Sequence, residues 1–412
     1  MSLTRDKDAA SHDDMFEWEA LVDALVAFHR APMACGAFDD DGRKATSQLV
    51  HGEVSALREY LAGDEDRQRL THLEHWLEEE LRRLAPVMAR RNEHRYRSWA
   101  QEHPNSRLCH QGRGVLSNAI GQDLTGAGEG LALDAANDVA SLLVGLEHCG
   151  ESQLARWVLD RYLRLTGDYE LTRVLSLFRV CQALAGARGA LQKLYRAGQD
   201  PEHPALLAEI MGECRNHLTL AEHYANFRFP PLVIAVGVLG SGKSRFTANL
   251  VDRLGAIRLC SDVERRRLAG IDPQAEATQP SVDIFTAEST EHTYHRLAEL
   301  AGITLDAGLA VCVDGTFLRR WQRDLLRQQA EARGLPCLMI SFEADEATLR
   351  QRIEKRARRH QLPVEESLSI LMRQLVLFEA FGDEERLHLV HLDTTAANAT
   401  DTLVTLIQRH DI

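Results

Sequence analysis

Leu232-Val233-Ile234-Ala235-Val236-Gly237-Val238-Leu239-Gly240-Ser241-Gly242-Lys243-Ser244 is the stretch that decides the fold of this chain. Its first five residues form a short, wholly apolar, largely β-branched run, the mark of a strand buried in a parallel sheet. They lead into a glycine-rich turn and then into KSRFTANLVDRL, whose apolar spacing predicts a helix. The turn fits G-x-x-x-x-G-K-[ST], and a strand before it with a helix after it is the context that pattern needs. Gly237, Gly240 and Gly242 allow the backbone around Ser241 to curl until successive N–H groups point inward at an anion, and the following helix adds its positive end. Lys243 is placed to bridge terminal phosphates, and the Ser244 hydroxyl is available to Mg²⁺. The chain has only five lysines, so composition alone would produce this pattern with a probability of roughly 0.002. Nucleotide binding is the strongest reading of the sequence.

Working outward, four more apolar runs follow at 256–260, 310–314, 337–342 and 387–392, each separated from the next by a helical segment. That alternation predicts an α/β unit with a five-stranded parallel sheet. Upstream the texture is different. From Asp14 to about Ala225 apolar residues recur every three or four positions, as in Leu70, Leu73, Trp76, Leu77, Leu81, Leu84 and Val87, and strand-like alternation is nearly absent. A boundary near 228–231 therefore separates a mostly helical domain, 1–229, from an α/β domain, 230–412. Pro104 to Gly130 breaks the helical pattern with crowded glycines and reads as a loop or a site.

The 412 residues are enough for two cores, and 44% hydrophobic with 26% charged residues excludes a chain disordered throughout or a fibrous repeat. A net charge of −13 disfavours broad binding to extended nucleic acid or anionic membrane, so a polyanionic ligand must be met by a local cluster. The eight cysteines at 35, 109, 149, 181, 214, 260, 312 and 337 form no CxxC pair, which reads as reduced thiols in a cytoplasmic protein. The first residues lack an apolar core and no uninterrupted apolar run has membrane-spanning length, so export and membrane insertion are not expected. A homo-oligomer is compatible with the sequence.

Three further clusters fall where open α/β sheets bind ligands, at the carboxyl ends of strands. After the second predicted strand comes Ser261-Asp262-Val263-Glu264-Arg265, in which Asp262 is placed to take the proton of a hydroxyl attacking a γ-phosphate and Arg265, one turn on, to hold an anionic group of the acceptor. The other reading is a helix cap with solvated arginines. The third strand ends in Asp314-Gly315-Thr316-Phe317-Leu318-Arg319, where Asp314 suits a magnesium-water or acceptor contact and Thr316 and Arg319 lie nearby, unless the pair is only a strand-to-helix cap. Arg352 and Arg356, four apart on one predicted helix face, suit a lid closing over phosphates, with a solvated surface helix as the alternative.

The set GxxxxGKS, S-D-x-x-R, D-G-T-F-L-R-R and R-x-x-x-R resembles the P-loop kinases related to polynucleotide 5′-kinase and zeta toxin, and above all the kinase module that follows an aminoglycoside-phosphotransferase-like domain in many bacterial proteins. The resemblance covers about 232–410 and implies ATP and Mg²⁺ as nucleotide and metal, with Lys243 and Ser244 on ATP·Mg²⁺, Asp262 as base, Arg265 on the acceptor, Arg352 and Arg356 in a lid, and Gln374 helping to position the nucleotide. It implies phosphorylation of a hydroxyl on a small metabolite or a 5′-OH nucleic-acid end. An ATP-binding regulatory switch or slow ATPase, and a scaffold that keeps the loop for stability, are the alternatives. Upstream, Gln111 to Asn118 is similar to the H-G-D-x-H-x-x-N segment of aminoglycoside phosphotransferases, with only Gly112 and Asn118 matching and Arg113 where the catalytic Asp belongs. Asp134 or Asp138 would be a remnant of that family's metal-binding segment. The helical domain, with 35 acidic against 26 basic residues through 229, is thus read as degenerate.

Overall fold

A computed structural model of the chain describes residues 12–30, 42–61, 63–93, 133–196, 204–226, 228–273, 284–359 and 361–409. The glycine-rich break at 104–130 and the segment around Arg113 lie outside these residues. The chain divides into two compact units, Met1–Asn226 and Phe227–Ile412.

In the first unit the described elements are α1 (His12–Arg30), α2 (Gly42–Tyr60), α3 (Asp64–Glu93), α4 (Ala136–His148), α5 (Ser152–Thr166), α6 (Leu171–Arg196) and α7 (Pro204–Ala225). The unit is organised around α6, which packs against α2, α3, α4 and α7. This explains its composition: Val174, Leu177, Phe178, Val180, Leu184 and Ala187 bury every side of the helix, and an all-round apolar helix is an interior one. Its segment Leu171–Lys193 has the length and mean hydropathy of a membrane span, but 78% of its apolar 18-residue window is buried. Arg173, Arg179 and Arg188 interrupt its apolar run.

Polar side chains in this core are matched with one another. Arg188 makes two hydrogen bonds to Glu53, at 2.7 and 3.1 Å, and Gln182 donates to Asn137 at 2.7 Å. His217 of α7 is different: its ring stacks on His148 with centroids 3.9 Å apart, close over Gly186, where a Cβ would lie 2.4 Å from the ring.

The second unit runs β1 (Leu232–Val236), α8 (Lys243–Leu254), β2 (Ile257–Cys260), α9 (Ser261–Leu268), α10 (Ala287–Asp306), β3 (Val311–Asp314), α11 (Arg320–Glu331), β4 (Cys337–Glu343), α12 (Glu346–Arg359), α13 (Val364–Leu377), α14 (Asp383–Arg386), β5 (Leu389–Asp393) and α15 (Ala399–Arg409). The five strands form a wholly parallel sheet in the order β2-β3-β1-β4-β5. β1 is central, and all five of its residues are buried, as expected for a strand covered on both faces. On one face Val233 and Ala235 meet Phe246 and Leu250 of α8, Phe342 of β4 and Leu403 of α15 in one apolar cluster. With β3 and β4 on its two sides, β1 delivers its carboxyl end to the sheet's topological switch point, the place where such folds bind ligands.

The His217 environment predicts an acid-sensitive first unit. Burial, and then the charges of His148 and Lys193, pull the His217 pKa from 6.5 down to about 3. Between those values the unfolded chain holds a proton that the folded state does not, so stability is full above pH 6.5 and falls as the pH drops towards 3, at most about 1.4 kcal/mol per pH unit. Urea denaturation of the first unit at pH 7 and pH 5 should show this loss, and His217→Leu should flatten it.

Candidate functional site

Beyond β1 the backbone turns sharply. Gly237 approaches β4 so closely that a Cβ there would lie 2.8 Å from the Phe342 carbonyl oxygen and 2.7 Å from Ser241 Oγ. Gly240 sits at φ +82°, a left-handed conformation, against the Leu349 carbonyl. The two apolar residues between these glycines pack outward, Val238 and Leu239 joining Leu349, Ile353 and Leu371 of α12 and α13. Gln374 of α13 then accepts the Leu239 N–H at 2.7 Å. The resemblance assigned Gln374 to the nucleotide; in the structure its amide holds the loop itself.

Lys243 opens α8 and folds back over the turn. Its ammonium donates to the Gly237 carbonyl at 2.6 Å and the Val238 carbonyl at 3.0 Å, with Ser241 Oγ at 3.4 Å. Burial pulls its pKa down, opposed by the fields of Asp314 and then Asp262, while Arg356 pulls it further down. Asp314, Asp262 and Arg356, distant in sequence, are therefore each near enough to act on Lys243. Ser244, the next residue, is exposed in the first turn of α8.

Asp262 is exposed in the first turn of α9, whose N-cap is Cys260 with no side-chain cap, so neither Ser261 nor Asp262 is used up in capping. Arg265, on the same short helix, is only 7% exposed. Its Nη1 donates to the Ile284 carbonyl at 3.1 Å and to Thr290 Oγ1 at 3.0 Å, and the exposed Phe285 ring covers its guanidinium at 5.2 Å. Burial lowers the Arg265 pKa, with Tyr294 and Asp262 opposing. Among the described residues it has no ion-pair partner.

Asp314 ends β3 in register with Ala235 of β1 and Cys260 of β2. It is 3% exposed, and its Oδ2 accepts from Arg258 Nη2 at 2.5 Å and from Thr247 Oγ1 at 3.2 Å. It caps no helix, since α11 begins only at Arg320. The Thr316 carbonyl accepts the Gly237 N–H at 3.3 Å, tying this segment to the phosphate-loop turn, and Thr316 Oγ1 meets the Tyr294 hydroxyl at 3.1 Å.

Arg319 is paired on its own helix side: its Nη1 donates to Glu379 Oε1 at 2.8 Å while the other oxygen takes the Arg320 N–H. Arg352 and Arg356, expected to act together in a lid, part company. Arg352 donates to the Gly240 carbonyl at 3.3 Å, to Thr394 Oγ1 at 2.9 Å and to the Thr394 carbonyl at 3.1 Å, bridging α12, the loop and the end of β5. Arg356 is exposed, with no ion pair among the described residues.

Sequence reasoning missed Arg258, Thr394 and Tyr294. Only Arg258 left a signal, a charged residue inside an otherwise apolar strand run. Asp134 and Asp138 are also accounted for: Asp134 makes two hydrogen bonds to Arg91, at 2.7 and 2.9 Å, and Asp138 lies 3.1 Å from the ring of His29, which in turn meets the Tyr162 hydroxyl at 2.8 Å.

Residues 232–381 match the family model described as an AAA domain. Among solved structures, an unliganded sugar kinase from Janibacter sp. HTCC2649 is 22% identical, with 43% of this chain and 95% of that chain covered at a TM-score of 0.35. A gluconokinase from Sinorhizobium meliloti 1021 is 23% identical, with 44% and 96% covered at a TM-score of 0.32. No curated protein matches the chain.

The close approach at Gly237 makes a direct prediction. Gly237→Ala sets a methyl group against the Phe342 carbonyl, and the forced shift should destabilise the α/β unit by about 1–3 kcal/mol in a urea titration.

Proposed function

We propose that the α/β unit is an ATP-dependent phosphotransferase that moves the γ-phosphate of ATP to a hydroxyl of a small metabolite or of a 5′-OH nucleic-acid end. One observation carries this reading. A glycine-built loop closed by Lys243 lies at the same sheet edge as an exposed carboxylate, Asp262, whose field reaches that lysine.

In the proposed reaction the acceptor oxygen attacks the γ-phosphorus as its proton passes to Asp262. The bond from that phosphorus to the β–γ bridging oxygen breaks, and ADP leaves. The loop amides not already engaged, together with Lys243, hold the phosphates, while those of Gly237, Leu239 and Ser241 brace the turn; the exposed Arg356 supplies a positive charge over the phosphates. Arg352, already fastened to Gly240 and Thr394, keeps α12 seated on the loop. Arg265 is the group for an anionic part of the acceptor, since its own contacts are neutral oxygens and a ring face. The net charge of −13 favours a small metabolite over a long polymer.

The Ser244 hydroxyl and the Asp314 carboxylate are an all-oxygen donor set of the kind Mg²⁺ takes, directly or through water. Bound there, the ion would neutralise charge on the phosphates.

The helical unit is read as a degenerate aminoglycoside-phosphotransferase-like domain serving acceptor recognition, regulation or partner binding. In support, Asp134 and Asp138 are engaged by Arg91 and His29.

ADP formation measured with sugars, nucleosides and 5′-hydroxyl oligonucleotides should reveal an acceptor that stimulates turnover. With that acceptor, Asp262→Asn should lower transfer by about 10²–10⁴-fold and leave ATP affinity unchanged by calorimetry. Undiminished transfer removes Asp262 from the chemistry, and slow hydrolysis that no acceptor stimulates favours the regulatory switch.

A further inference from the structure

Arg258 lies on the half-buried face of the edge strand β2, yet its guanidinium turns inward to a buried carboxylate. β2 and β3 pair in parallel with Arg258 opposite Cys312 and Cys260 opposite Asp314. Arg258 and Cys260 therefore share one face of β2, Ile257 and Leu259 the other, and the guanidinium reaches diagonally towards the carboxyl edge. There it meets Asp314 Oδ2, on which Thr247 Oγ1 also converges. Both donors take the same oxygen, and among the described residues no donor reaches Oδ1. Thr247 lies one turn after Ser244, with its hydroxyl 3.4 Å from the Ser244 carbonyl, so this anchoring point belongs to the helix that carries the loop serine.

A second cation acts on the same carboxylate. Asp314 is the acid that most strongly supports the charge of Lys243. Without Arg258, Asp314 would have Lys243 as its main cationic neighbour, and a carboxylate drawn onto that ammonium would engage the group meant for phosphate.

We propose that Arg258 is a positioning residue: it holds Asp314 by Oδ2, away from Lys243, so that Oδ1 remains available to a divalent cation or its bound water. The inference rests on the reading of the loop as a Mg²⁺-nucleotide site but not on phosphoryl transfer, and its test uses binding alone.

The experiment is calorimetric titration of the full chain with a non-hydrolysable ATP analogue, in EDTA and across Mg²⁺ concentrations. Arg258→Gln should raise the Mg²⁺ concentration for half-maximal enhancement of binding at least tenfold and change affinity in EDTA by less than twofold. Arg258→Lys should recover part of the Mg²⁺ response. Asp314→Asn should raise that Mg²⁺ concentration at least as far as Arg258→Gln does, to a value that higher Mg²⁺ still reaches, and adding Arg258→Gln to it should raise it no further, because the two act through one contact. This double variant also serves if Arg258→Gln alone leaves the Asp314 charge unmatched and fails to fold. Equal losses with and without Mg²⁺, an unchanged Mg²⁺ response, or additive effects in the double variant would overturn the proposal. A wild-type chain that binds Mg²⁺-nucleotide but phosphorylates no acceptor defeats the proposed function and leaves this inference standing, whereas a chain whose nucleotide binding ignores Mg²⁺ defeats the inference.

Discussion

At Gly237 the chain leaves β1 so close to the Phe342 carbonyl of β4 that no side chain can be fitted between them. The arrangement of the α/β unit follows from that contact. A turn this tight consumes few of its own backbone groups, so it is held from outside on several sides. Thr316 takes the Gly237 N–H from the β3 side, Gln374 takes the Leu239 N–H, and Arg352 reaches the Gly240 carbonyl. Lys243 closes the inner side over the Gly237 and Val238 carbonyls. Val238 and Leu239 add apolar contact with α12 and α13. These contacts fix the shape of the loop from outside, while Lys243 would have to leave the Gly237 and Val238 carbonyls to meet an anion.

Electrostatics at this edge is a matter of how few acids are shared among several bases. Asp314 is buried and meets Arg258 while supporting Lys243, and Asp262, exposed one strand away, adds a weaker field on that lysine. Arg265 is buried without an ion pair among the described residues, and Arg356 is exposed. A chain with an overall excess of acid therefore concentrates positive charge at one sheet edge, which allows capture of a small polyanion without a basic surface. Arg319 and Arg323 look equivalent in sequence but belong to a different system. They bind Glu379 and Glu385, and Arg323, fully buried, also donates to the Phe317 carbonyl.

The helical unit solves another problem, that of burying acids among apolar helices. Arg91 meets Asp134 and Asp168 together, Arg188 meets Glu53, and His29 lies between Asp138 and Tyr162. Each carboxylate has a partner, as burial of charge requires. The attraction within such pairs is offset by the cost of taking both charges out of water, so removing one partner costs more than the pair adds.

Local order in the chain was enough to read the phosphate loop, the five strands and the change from helical to α/β texture, because each depends on neighbours in sequence. Consecutive amides make the loop, a period of two or an unbroken apolar run makes a strand, and a period near 3.6 makes a helix. Strand order was not legible, and with it went the identity of each side chain's partner. That Asp314 faces Arg258, that Gln374 holds the loop, and that Arg352 and Arg356 differ in freedom follow from β3 lying between β1 and β2 and from α12 and α13 packing on Val238 and Leu239. Such pairings join residues scores of positions apart through register and burial, so only the folded chain decides which of several equivalent arginines remains free to meet a ligand.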